Sequence, residues 1–128
     1  MPELREVMTP GALTTPADAS VVDAARAMVE AKAGSVVVMQ GAWLLGILTE
    51  RDVLRAAASG EDLTKSPVSR WMTRDPMTAT PDMPMDEAAN IMLLNGFRHL
   101  PVLEGHEVLG VVSIRDLMAA RIRRPAKP

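Results

Sequence analysis

Cysteine and tyrosine are absent from the 128 residues, which carry one Phe, two Trp and two His. Without cysteine there is no disulfide, no thiolate nucleophile and no zinc site built on sulfur. That fits a reducing compartment. Two histidines are too few for a His-rich metal site. With so few rings, little is available for stacking on nucleic-acid bases. Charge of neither sign dominates: 14 Lys and Arg stand against 16 Asp and Glu, a net −2, which argues against bulk electrostatic binding of nucleic acid. The basic tail Arg121-Ile122-Arg123-Arg124 with Lys127 reads as a solvated helix end favoured by the helix dipole. No apolar run reaches the roughly 18 residues of a membrane span. Met1-Pro2-Glu3-Leu4-Arg5 lacks the apolar stretch of a signal peptide, so a cytoplasmic protein is expected. Catalysis needs a nucleophile, an acid–base pair or a metal set in a defined relation. None is legible, and neither a P-loop nor Gly-x-Gly-x-x-Gly occurs. The expectation is a protein that is not an enzyme, with no catalytic cofactor and no metal.

What is present is an ordinary globular composition, 48% hydrophobic and 23% charged, with ten methionines. The core is therefore aliphatic and soft. Within it lies an internal repeat. Val7-Met8-Thr9 returns as Trp71-Met72-Thr73, and Gly46-Ile47-Leu48-Thr49-Glu50-Arg51-Asp52 returns as Gly110-Val111-Val112-Ser113-Ile114-Arg115-Asp116, both 64 positions later. Sliding 8–56 onto 72–120 without a gap leaves Met8, Thr9, Thr14, Asp18, Ala24, Ala25, Met28, Val38, Gly41, Leu45, Gly46, Arg51, Asp52 and Ala56 identical to their partners. Shared Ala and Val do not account for the matching Gly, Thr and Asp positions. The expected division is repeat 1 over 4–58, a linker over 59–70, repeat 2 over 71–122 and a polar tail over 123–128.

Each copy reads as β-α-β-β-α, an α+β unit. A Thr/Pro-rich segment opens it (Thr14-Thr15-Pro16; Thr78-Ala79-Thr80-Pro81). Apolar residues at helical spacing predict helices over 21–31 and 85–95. Asp18 or Ser20 is a candidate cap for the first and Asp82 for the second, with Pro84 in its first turn; Gly34 and Gly96 stand past the ends. Two short apolar runs follow, 35–39 with 43–48 and 99–103 with 108–112. They read as strands buried on both faces. A second helix starts near Glu50 and near Ile114.

The closing motif carries the chemistry. A carboxylate in the first turn of a helix is a good acceptor for hydroxyl donors; Asp52 and Asp116 stand there. A hydroxyl three residues earlier, beside free N–H groups, suits a phosphate oxygen; Thr49 and Ser113 stand there. Arg51 and Arg115 add charge-assisted contacts. Each has a plainer reading beside it. Thr49 and Ser113 serve equally as helix N-caps. Asp52 and Asp116 serve as partners of the helix dipole. Gly46 and Gly110 serve to end a strand or relieve crowding.

Two β-α-β-β-α units, each opened by Met-Thr and closed by Gly-x-x-Thr/Ser-x-x-Asp, with His99-Leu100-Pro101-Val102 on the strand after the first helix, resemble a tandem pair of CBS domains, a Bateman module. The resemblance spans about residues 4–122. It implies two repeats packed sheet to sheet about a pseudo-twofold axis, with two clefts that bind adenosine nucleotides: AMP, ADP or ATP, sometimes NAD or S-adenosylmethionine. It groups Thr9, Leu13, Ala33, Gly34, Ser35, Arg98, Ser113, Arg115 and Asp116 in one cleft, the favoured one. Thr73, Met77, Phe97, His99, Thr49, Arg51 and Asp52 fall in the other, where Arg98 also lies. His99 reads equally as a packed strand residue, and His106 as an exposed turn residue. The first copy departs from the pattern, with Val37 where the second has Pro101. The resemblance further implies a homodimer formed through helices bearing Ala24, Ala25, Met28, Val53, Leu54, Ala57, Ala88, Met92, Leu117 and Met118, and output through a separate effector protein. The implied function is regulatory ligand sensing by conformational change. The alternative is a structural interaction module whose clefts are degenerate or empty.

Overall fold

The structure, a computed structural model, describes residues 2–123. The expected polar tail lies outside the described residues, apart from the backbone of Arg123. In chain order the elements are α1 (Leu4–Val7), β1 (Thr9–Pro10), β2 (Thr14–Pro16), α2 (Val21–Ala31), β3 (Ser35–Gln40), β4 (Trp43–Thr49) and α3 (Glu50–Ala58). Then come α4 (Val68–Trp71), β5 (Thr73–Arg74), α5 (Met85–Asn95), β6 (His99–Glu104), β7 (Glu107–Ser113) and α6 (Ile114–Arg123). Residues Ala12–Pro76 form one compact unit, the continuous one. Residues through Gly11 join those from Met77 onward in the other, the split one. Each is a sheet with helices, an α+β arrangement.

Repeats in sequence and units in space are thus different divisions of the chain. The Met-Thr segment of each repeat pairs with the closing strand of the other. In the split unit β1 runs antiparallel to β7, with Thr9 opposite Val111 and Pro10 opposite Gly110. In the continuous unit β5 runs antiparallel to β4, with Gly46 opposite Arg74 and Ile47 opposite Thr73. The two glycines make this pairing possible. A Cβ on Gly46 would lie 2.6 Å from the Thr73 carbonyl oxygen, and one on Gly110 would collide with the Thr9 carbonyl oxygen. Relief of crowding is therefore their structural role.

The long helices form where apolar spacing requires them. Val21, Ala24 and Met28 are buried on α2; Met85, Ala88 and Met92 are buried on α5. Their ends depart from expectation. Ser20, not Asp18, caps α2 by accepting the Asp23 N–H at 3.0 Å. Pro84 is itself the N-cap of α5 and has no capping side chain. Asp82, two residues before that cap, instead accepts the Thr80 hydroxyl at 2.6 Å, a local turn bond. At the C-terminus of α5, Gly96 adopts the left-handed conformation (φ 72°). At the C-terminus of α2 that conformation falls on Lys32 (φ 54°, ψ 39°), not on Gly34. The two residues are equivalent in the repeat, so the geometry is shared and only the second copy has the residue it favours.

β3 with β4 and β6 with β7 are antiparallel hairpins. Gly41 (φ 60°) and Gly105 (φ 62°) take the positive-φ position of two-residue turns. Val36, Val37 and Val38 are buried in succession on β3, as are Leu100, Pro101 and Val102 on β6, so both strands are buried on both faces. β2 runs parallel to β3. Its counterpart in the second repeat shrinks to a single bridge, Ala79 to Val102. The Val37 N–H donates to the Leu13 carbonyl at 2.8 Å, and Pro101, at the equivalent position, has no N–H to donate.

Each unit has its own core. Ala24, Met28, Val36, Val38, Leu48 and Val68 fill the continuous one. Leu4, Met92, Leu100, Val102, Val112 and Leu117 are prominent in the split one. Of the helix residues offered above as a dimer surface, Ala24, Met28, Ala88, Met92 and Leu117 are buried. Leu54 and Met118 are exposed, together with Val29 and Leu93, two repeat-equivalent pairs.

Candidate functional site

Both closing motifs fold into the turn that joins a central strand to a helix N-terminus. In the continuous unit Thr49 ends β4 and caps α3. Its hydroxyl oxygen accepts the Asp52 N–H at 3.4 Å, and the Asp52 carboxylate accepts the Thr49 N–H at 2.9 Å. In the split unit the same reciprocal pair forms: Ser113 Oγ accepts the Asp116 N–H at 3.1 Å, and Asp116 accepts the Ser113 N–H at 2.8 Å. Capping is thus a role all four residues perform. What they have left for a ligand differs between the units.

Asp52 is buried, 6% exposed. Its Oδ2 also accepts the Thr49 hydroxyl at 3.1 Å, and its Oδ1 accepts Arg55 Nη1 at 2.9 Å. Of the roughly four acceptor positions of a carboxylate, three are taken by Thr49 N, Thr49 Oγ1 and Arg55. Asp116 is half-buried and takes one bond, from Ser113 N, among the described residues. The Ser113 hydroxyl donates to no carboxylate there, whereas that of Thr49 is spent on Asp52.

The strands bring further candidates to these turns. In the split unit His99 lies opposite Ser113, and Thr9 lies opposite Val111, two residues before Ser113. The Arg98 carbonyl accepts the Ile114 N–H at 2.9 Å, which holds Arg98 beside the start of α6. Thr9, Arg98 and Arg115 are exposed. In the continuous unit Ser35, buried, lies opposite Thr49, and the Gly34 carbonyl accepts the Glu50 N–H at 3.0 Å. Thr73 lies opposite Ile47. Arg51 and Thr73 are exposed there.

Thr9, Arg98, His99, Ser113, Arg115 and Asp116 therefore share one unit, and Ser35, Thr49, Arg51, Asp52 and Thr73 share the other. Leu13, Ala33 and Gly34 also belong to the continuous unit, and Met77 and Phe97 to the split unit. Leu13 packs on the continuous core and Phe97 on the split core. Ala33 N–H is bound to the Met28 carbonyl at 2.9 Å. Met77 is 48% exposed.

Two side chains that the sequence reading passed over belong to this site. Arg55 lies 5.9 Å from the centroid of the Trp71 ring while it holds Asp52. Trp71 is in turn fixed by its indole N–H on Ser66 Oγ at 3.0 Å. The signal was present at positions where the two repeats differ: Arg55 aligns with Ala119, and Trp71 with Val7. Identity between the repeats marks neither residue.

The family model described as the CBS domain matches the chain twice, over 4–59 and 68–123. The CBS domain-containing protein YhcV of Bacillus subtilis is 30% identical over 118 residues, covering 91% of this chain and 84% of that protein. An uncharacterised 17.7 kDa protein of Acidianus ambivalens is 44% identical over 103 residues, 79% of this chain. This alignment spans only 62% of that relative's length. Among solved structures, a CBS domain protein of Pyrobaculum aerophilum complexed with AMP superposes with a TM-score of 0.83 at 27% identity. It covers 89% of this chain and 88% of that one. The repeat, the α+β units with exchanged Met-Thr strands, the two closing turns and these matches place the chain in one family: it belongs to the CBS domain proteins, with two CBS domains in tandem.

Proposed function

We propose that the protein is a regulatory ligand-sensing module that binds an adenosine nucleotide at the split unit, with Asp116 as the acceptor of the ribose hydroxyls. One observation carries this reading. Asp116 is half-buried at the start of α6 and, among the described residues, accepts one bond, from Ser113 N. Around it stand groups of the right chemistry. The Ser113 hydroxyl and the N–H groups at the start of a ten-residue helix suit a phosphate. Arg98 and Arg115 supply charge for the same anion. Thr9 brings backbone and hydroxyl groups of a second segment to the same strand end. A family relative complexed with AMP supports adenosine as the class.

As a sensor, the module acts by linkage: a ligand shifts an equilibrium only by its differential affinity for two states. The exposed apolar side chains of Val29, Leu54, Leu93 and Met118 fit the expected homodimer, and the output passes to a separate protein. The alternative reading, a degenerate cleft, fits the continuous unit, where Thr49 and Asp52 are satisfied internally.

The test is a thermal-shift screen of nucleotide-stripped protein against AMP, ADP, ATP, NAD, S-adenosylmethionine and GTP. One site at a hundred times Kd adds about 2.7 kcal/mol, a shift of several degrees. A shift with an adenosine ligand, absent with GTP and weakened roughly ten- to hundredfold in affinity by Asp116→Asn, is the expected result. No shift with any of the six overturns the reading.

A further inference from the structure

We propose that Arg55 is an internal latch on Asp52, and that its presence in one repeat and absence from the other biases ligand toward the split unit. The inference rests on the proposed role of the first-turn aspartates as ribose acceptors.

The observations are independent of that role. Arg55 donates from Nη1 to Asp52 Oδ1 at 2.9 Å, the one carboxylate oxygen that Thr49 leaves open. A ribose diol approaching Asp52 meets an oxygen already bound to a guanidinium. Arg55 is one helical turn from Asp52, the spacing at which side chains meet on a helix. Its position is also held from outside α3. The guanidinium carbon stands 5.9 Å from the Trp71 centroid, and the Trp71 indole is anchored on Ser66. A second arginine, Arg70, lies 5.9 Å from the same ring and is itself bound to Glu61 at 3.1 Å. The latch is thus a small network with a ring at its centre, not a single exposed ion pair.

The split unit lacks both parts. Ala119 replaces Arg55 and Val7 replaces Trp71. Asp116 accordingly keeps an oxygen that no described side chain occupies. Cation and ring are lost together. This is the pattern expected if they act as one device. Because the Arg55 side chain is 60% exposed, the pair is screened by solvent and can be displaced. It weakens an Asp52 site without abolishing it.

The test isolates each aspartate and uses AMP as probe on the full chain, by titration calorimetry. In the Asp116→Asn background, adding Arg55→Ala should strengthen Asp52-dependent AMP binding roughly two- to fivefold. In the Asp52→Asn background, adding Ala119→Arg should weaken Asp116-dependent binding by a similar factor. Opposite responses to the two reciprocal substitutions support the latch. Unchanged affinity after Arg55→Ala overturns it and leaves nucleotide binding in place. Weaker affinity after Arg55→Ala also overturns it, since Arg55 would then be a ligand contact. Failure of the parent protein to bind AMP overturns the latch and AMP as the ligand together. Arg55 is exposed, so its replacement keeps the test readable even if Ala119→Arg does not fold.

Discussion

Replacing Gly110 by alanine tests the exchanged-strand architecture at its tightest point. An ideal Cβ there collides with the Thr9 carbonyl oxygen and stands 3.2 Å from the Thr9 carbonyl carbon and 3.3 Å from Pro10 Cα. All three atoms are backbone, so no rotamer change relieves the contact. Overpacking of this kind costs about 1–3 kcal/mol, and a rigid backbone neighbour places it toward the upper end. The lower entropy of an unfolded chain with alanine returns about 0.4–1 kcal/mol. The net loss expected is about 2 kcal/mol, or roughly 6–10 °C in Tm for a chain of this size. At Gly46 the neighbours are the Thr73 carbonyl oxygen at 2.6 Å and the Met72 side chain, with Sδ at 2.7 Å. The methionine can move, so Gly46→Ala should cost less than Gly110→Ala. Denaturant unfolding gives the stabilities. Amide exchange gives the location: the Gly11 N–H, bound to the Leu109 carbonyl at 3.0 Å, should lose protection in Gly110→Ala. A Gly110→Ala protein as stable as its parent, with Gly11 still protected, would refute the close approach of β1 to β7.

Two further outcomes follow from local geometry. Lys32→Gly should raise stability by about 0.5–1 kcal/mol and Gly96→Ala should lower it by a similar amount, because both positions are left-handed; urea midpoints moving the same way would contradict this. Asp62 lies in the loop before α4, where the Thr64 hydroxyl (2.6 Å) and then the Thr64 N–H (3.0 Å) hold its carboxyl below the ordinary aspartate value. A depressed carboxylate contributes stability that is present above its unfolded pKa and lost as pH falls through its folded one. Thr64→Val should therefore lower Tm at neutral pH, with the gap to the parent closing as pH falls below the ordinary aspartate range; a gap independent of pH would count against it.

How much was legible in the sequence depended on whether the cause was local. Periodicity along one segment decides which residues of a helix or strand are apolar, and it located α2 and α5 at 21–31 and 85–95. Repetition at a spacing of 64 located the two Thr/Ser–Asp turns, because their reciprocal bonds span three residues. Caps were less legible. Asp82 and Ser20 have similar intrinsic fitness as N-caps, but α5 starts at Met85 with Pro84 at its cap, two residues beyond Asp82, whose carboxylate is bound by the Thr80 hydroxyl.

What tertiary structure alone decided is which segments meet. The sequence repeat divides the chain at its linker. The sheets divide it after Gly11 and Pro76, because two glycines without side chains let each Met-Thr strand lie against the other repeat's closing strand. The shortened second ladder was hidden as well: the sequence shows Pro101 in the place of Val37, but not that the Val37 N–H bonds the Leu13 carbonyl. The unequal state of the two aspartates was hidden for the same reason. Motif identity counts Asp52 and Asp116 as the same residue, whereas their capacity to bind is set by neighbours that fold onto them. Arg55 and Trp71 do so for Asp52, and Ala119 and Val7, lacking charge and ring, do not for Asp116.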